Sequence, residues 1–79
     1  MTRNEVYEQL NAVFRDVFDD ESLTVADETT AADVEDWDSL THITLIAAVE
    51  DAFDISFDMK TVVRLKCVGD MVDAILQEL

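Results

Sequence analysis

Asp38-Ser39-Leu40-Thr41-His42-Ile43-Thr44-Leu45-Ile46-Ala47-Ala48-Val49-Glu50-Asp51-Ala52-Phe53 is the stretch that decides the fold. At about 100° per residue, Leu45, Ile46, Val49, Ala52 and Phe53 fall on one arc of a helix. Asp38 and Ser39 are both side chains that cap helix N-termini. The spacing predicts a helix from Asp38 or Ser39 to about Phe53, with that arc in a core. Leu40, Ile43 and Ala47 fall on a second arc beside Ser39, bordered by Glu50, Asp51 and Asp54. An apolar strip with a charged rim reads as a docking surface. The alternative is that Leu40 and Ile43 pack beneath a loop.

Upstream, Val6, Leu10, Val13, Phe14 and Val17 recur at three- and four-residue spacing, which predicts an amphipathic helix from Arg3 to Val17. Between Asp19 and Asp38 the periodicity fails. This acidic connection is expected to touch the core at Leu23, Val25 and Val34, and loops of such length are usually functional. Downstream, Asp54 to Phe57 reads as a connection. Asp58 can cap a short third helix carrying Met59, Val62, Val63 and Leu65. A last helix begins near Val68, with Gly69 in its first turn and Val72, Ile75, Leu76 and Leu79 on its buried side. The expected fold is all-α: a small four-helix bundle of three longer helices and one short third helix, with a long first loop, in a single domain over residues 1–79.

Composition narrows the function. Hydrophobic residues make up 49 % of the 79, more than a disordered acidic tail carries, so the chain should fold. Nineteen acidic residues face five basic ones, a net charge of −14. Nucleic acid and anionic membrane surfaces are thereby disfavoured as partners, and basic protein surfaces or cations favoured. No run of about 18 apolar residues is present to span a membrane. The start, Met1-Thr2-Arg3-Asn4-Glu5, lacks an apolar signal segment. Cys67 is the only cysteine, so no intrachain disulfide forms, and a reducing cytoplasm is the expected location. The spacing of an EF-hand calcium loop does not fit this chain. Over Asp33 to Thr44, Asp38 stands where that loop requires Gly, Thr44 where it requires Glu, and Trp37 at the fifth position, so no metal site is expected.

Ser39 stands where a long loop meets a helix start. Unpaired backbone N–H groups and the positive end of the helix dipole favour a phosphate there. A serine in that place is otherwise most often a simple cap.

Asp38-Ser39-Leu40 resembles the phosphopantetheine attachment motif of acyl carrier proteins. Ile43, Ile46, Val49, Glu50, Phe53 and Asp54 resemble that family's second helix and its exit. Val68-Gly69-Asp70-Met71-Val72 is similar to the start of its final helix. The resemblance implies a free-standing, non-catalytic carrier with phosphopantetheine attached covalently to Ser39, within the motif set by Asp38 and Leu40. A phosphopantetheinyl transferase would install the arm from coenzyme A, assisted by Mg²⁺. The arm's thiol would hold acyl or aminoacyl groups as thioesters. Acyl-loading and acyl-using enzymes with basic patches would dock on Leu40, Ile43, Ala47, Glu50 and Asp51 of a monomer.

The chain departs from the common pattern in four places. Trp37 stands where many members have Gly, Thr41 and Thr44 replace acidic residues frequent in fatty-acid carriers, Asp58 replaces a Pro, and Cys67 replaces a capping Ser or Thr. The first two departures favour a carrier of a specialised pathway, Asp58 reads as a helix cap, and the last one predicts a frayed start to the final helix. His42 is expected to be a half-buried spacer and Cys67 a small, nearly buried residue. Lys60, Arg64 and Lys66 are expected to pair with the acidic loop rather than to form a second recognition patch or contact acidic cargo. The competing function is an unmodified acidic helical protein-interaction module.

Overall fold

The computed structural model describes all residues, Met1–Leu79. It contains four helices and no strand: α1 (Arg3–Val17), α2 (Ser39–Phe53), α3 (Met59–Arg64) and α4 (Val68–Glu78). No helix is long and apolar enough to cross a membrane. The expected all-α bundle with one short third helix is what the chain forms.

Each start has a local cause. Thr2 and Glu5 form a capping box on α1: Glu5 N–H donates to Thr2 Oγ1 at 3.2 Å, and Thr2 N–H to Glu5 Oε1 at 2.9 Å. Asp58 Oδ1 accepts from Thr61 N–H at 2.7 Å and starts α3. At the other end of α2, Asp54 ends the helix in a left-handed conformation, φ 55° and ψ 50°. Aspartate is one of the few non-glycine residues that tolerate that region.

α1 packs against both α2 and α4. Val6, Leu10, Val13 and Phe14 of α1 meet Leu45, Ile46, Val49 and Phe53 of α2 and Val68, Met71, Val72 and Ile75 of α4 in one core. Burying one such side chain stabilises by about 1.5–3 kcal/mol, so this core holds the fold. The first turn of α4 contributes more than its pattern suggested, since Met71 is fully buried. Leu79, placed on the buried side by periodicity, is 54 % exposed and caps the end of α4 rather than continuing its buried face.

Residues 18–38 connect α1 to α2 without regular structure, yet they are tied down along their length. Val25 and Val34 are buried as expected, and Leu23 is half-buried. Val25 N–H donates to Asn11 Oδ1 at 2.8 Å, and Arg15 Nε donates to the Leu23 carbonyl at 2.6 Å. Phe18 and Trp37, at the two ends of the connection, are also core residues.

The connection also completes α4. Cys67 offers no side-chain cap, as the sequence implied. The predicted fraying is nevertheless answered by the backbone of the loop: Val68 N–H donates to the Thr29 carbonyl at 2.8 Å, and Gly69 N–H to the Asp27 carbonyl at 2.9 Å. Loop carbonyls thus take over the capping role. Asp27 is held from the other side as well. Its Oδ1 accepts from Arg3 Nη2 at 2.7 Å and from the Tyr7 hydroxyl, while Arg3 Nη1 reaches Asp73 on α4 at 2.8 Å. The Tyr7 and Arg3 hydrogen bonds hold the Asp27 carboxyl below its ordinary pKa.

Candidate functional site

The segment Asp36–Ile43 is built around two anchors. The first is Trp37, only 6 % exposed. Its ring stands edge-on to Phe14, with centroids 5.3 Å apart, and tilted against Phe18 at 6.4 Å. Its Nε1–H donates to His42 Nδ1 at 3.0 Å, and the two rings lie nearly parallel at 15°. An indole buried this deeply needs a partner for its N–H, and His42 supplies it. His42 is therefore not a spacer: it is the acceptor that makes Trp37 tolerable in the core.

The second anchor is the cap of α2. Asp38 Oδ1 accepts from Leu40 N–H and Thr41 N–H, both at 2.9 Å. Thr41 Oγ1 accepts from Asp38 N–H at 2.7 Å, closing the box. Hydrogen bonds from the Thr41 and Leu40 backbones hold the Asp38 carboxyl below its ordinary pKa.

Between these anchors, Ser39 is the first residue of α2 and is exposed. Since Asp38 is the cap, Ser39 is free of that task, and its hydroxyl makes no hydrogen bond within the chain. The expectation of several open backbone donors here needs correction. Asp38 already occupies the N–H groups of Leu40 and Thr41, which leaves only the Ser39 N–H open at this helix start.

Leu40 and Ile43 do not pack beneath the loop; they are 78 % and 69 % exposed. Ala47 and Asp51 are exposed on the same face. Glu50 is different. It is half-buried, and its Oε2 accepts from Phe57 N–H at 2.8 Å, so it secures the exit of α2 and is not a free rim charge.

A groove of about 570 Å³ opens beside Ser39, between the start of α2 and α3. Trp37 and His42 line it on one side, Val62, Val63 and Leu65 on the other, with Lys66 at its edge. The expected pairing of Lys60, Arg64 and Lys66 with the acidic loop does not form: the ion pairs of the chain are Arg3 to Asp27 and Arg3 to Asp73. These three basic side chains are exposed on and just after α3, which buries no residue. No group of His, Cys, Asp and Glu is arranged to hold a metal ion.

Sequence reasoning missed the Trp37–His42 pair. The available signal was His42 lying near the core arc of α2, five residues after a lone tryptophan. It also missed the close approach of Asp27 to Gly69, for which the sequence holds no local sign.

Over residues 8–75 the chain matches the family described as phosphopantetheine attachment site. The solution NMR structure of a holo acyl carrier protein from Geobacter metallireducens is similar to it, with a TM-score of 0.87 and 38 % identity. That similarity covers 92 % of this chain and 84 % of the other. A search of curated proteins finds no match. The chain belongs to the acyl carrier protein family, whose members carry acyl groups on a covalently attached phosphopantetheine.

Proposed function

We propose that Ser39 is the point at which this carrier holds its phosphopantetheine. The supporting observation is a hydroxyl that is exposed, at the first position of α2, and relieved of capping by Asp38. A serine whose oxygen was bonded to the helix would resist modification; this one has no competing partner. Its own N–H and the helix start suit a phosphodiester. When bound, the arm supplies a thiol for thioester formation. The chain's own residues position and present it: Asp38 fixes the helix start, and Trp37 ties the preceding loop to the core. The protein is then a substrate of a phosphopantetheinyl transferase and of acyl-loading enzymes, and performs no catalysis itself. It acts as a single monomeric domain over residues 1–79, in the cytoplasm. Leu40, Ile43, Ala47 and Asp51 form the strip on which partners with basic patches dock. Thr41 and Thr44 leave the part of that strip nearest Ser39 without the negative charge of a general fatty-acid carrier, which favours a specialised pathway.

The test is intact mass after incubation with coenzyme A and a promiscuous transferase. The wild type should gain one phosphopantetheine. Ser39→Ala should gain none and keep its helical circular dichroism. Modification of the Ala variant would move the site elsewhere. An unmodified wild type with several active transferases would leave the interaction-module reading in its place.

A further inference from the structure

Of the residues that line the groove beside Ser39, only Trp37 is buried. The base is Trp37, which lines the groove on one side and touches Phe14 on the other, so it stands between the groove and the core. Three contacts hold the indole: the edge-on approach to Phe14 at 5.3 Å, the tilted packing on Phe18, and the Nε1–H bond to His42 Nδ1 at 3.0 Å. An acceptor at Nδ1 places the neutral imidazole's proton on Nε2. Swinging the indole aside would strand its N–H and the His42 acceptor together, which a half-buried pair resists. Phe14, on the far side of Trp37, is fully buried, as are Leu10, Leu45, Met71 and Ile75 of the same core, so a chain passing Trp37 would have to displace packed side chains. On the opposite wall, α3 buries no residue, so the groove can widen toward α3 but not deepen toward the core.

A groove of about 570 Å³ must also admit the distal part of the arm before any cargo enters. We infer that the Trp37–His42 pair sets the depth of this groove, so that it shelters short acyl groups and leaves long alkyl chains in solvent. This rests on Ser39 as the attachment point. Specificity then lies in the carrier itself: a long chain gains no burial beyond the groove and remains exposed to water on this protein.

The experiment loads the apo protein, through a promiscuous transferase, with acetyl-, butyryl-, octanoyl- and dodecanoyl-phosphopantetheine from the corresponding coenzyme A thioesters. Intact mass verifies each product. Melting temperature and the emission of Trp37, the only tryptophan, are then measured. The melting temperature should rise from acetyl to butyryl and stay level through dodecanoyl, with the emission changing over the same step. In His42→Ala the base is released, and the rise should continue through octanoyl by several degrees. Trp37→Phe, which keeps a ring and loses the N–H, serves the same purpose should His42→Ala not fold. A wild-type melting temperature that climbs steadily to dodecanoyl would overturn the inference, as would a wild-type plateau retained in both variants. Absence of mass gain with every thioester would instead overturn the Ser39 assignment, and this inference with it.

Discussion

Replacing Gly69 by alanine isolates how α4 is docked to the first loop. A Cβ at position 69 would lie 3.0 Å from the Asp27 carbonyl oxygen, 3.2 Å from its Cβ and 3.3 Å from its Cα. All three distances are shorter than ordinary van der Waals contact. The loop has little freedom to withdraw, because the Asp27 carbonyl accepts from Gly69 N–H at 2.9 Å and its carboxylate is held by Arg3 and Tyr7. Overpacking of this kind costs about 1–3 kcal/mol. Alanine's better helix propensity offsets at most about 1 kcal/mol, and less in a first turn. The net expectation for Gly69→Ala is a loss of about 1 kcal/mol, which in a domain of this size lowers the melting temperature by about 4–8 °C. Urea unfolding followed by circular dichroism should show a lower midpoint with an unchanged m-value. A midpoint equal to or above that of the wild type would refute the reasoning, since helix propensity would then outweigh a contact that the loop had simply relaxed.

Three further outcomes are expected. Asp38→Ala should lower the melting temperature at neutral pH; because the folded carboxyl titrates below its ordinary range, the deficit is full above about pH 4 and should vanish as pH falls through the folded value, which parallel pH series of both proteins will check. With a net charge of −14 and four of the five basic side chains outside any ion pair, the wild-type melting temperature should rise with added salt, and a flat or falling series would contradict self-repulsion as a significant term. Thr44→Glu should raise kcat/KM for loading of the holo protein by a general malonyl transferase by a small factor, as one exposed charge pair is worth on the order of 1 kcal/mol or less, and no gain would remove the charge argument for a specialised pathway.

Helix positions were legible because each rests on local chemistry. Asp38 and Asp58 are capping types standing just before an apolar period, and α2 and α3 begin directly after them, while the spacing of Val6, Leu10, Val13, Phe14 and Val17 marks α1. The exposed apolar strip was legible for the same reason, since Leu40 and Ile43 sit off the core arc. What the pattern hid depends on contacts distant in sequence. Gly69 looks like a weak helix residue until Asp27, forty-two positions earlier, is found against it. Trp37 looks like a loop residue because its burial needs Phe14 and Phe18 from α1 and a hydrogen-bond acceptor from α2. Charge alone points the basic cluster of Lys60, Arg64 and Lys66 to the acidic loop. Of the five basic side chains, Arg3 makes both ion pairs and Arg15 donates to the loop at Leu23 and Thr24, so geometry gave those tasks to α1.

The same contacts explain how one residue can be both fixed and available. Ser39 sits between a side chain that caps its helix and one that anchors its loop, so its backbone is held on both sides without any demand on its hydroxyl. The loop's earlier half is clamped separately, through Asp27 to α1 and α4. Elements that would blur the site are therefore secured by partners other than Ser39 itself. The one loosely held wall is α3, six residues with none buried, capped by Asp58 and facing Trp37 across the groove. A groove with one stiff face and one yielding face can close on a small group and release it at low cost, because only a short helix has to move. On the inference drawn above, Trp37 and His42 on the stiff face would set how deep a group enters, and Val62, Val63 and Leu65 on the other face how readily it leaves.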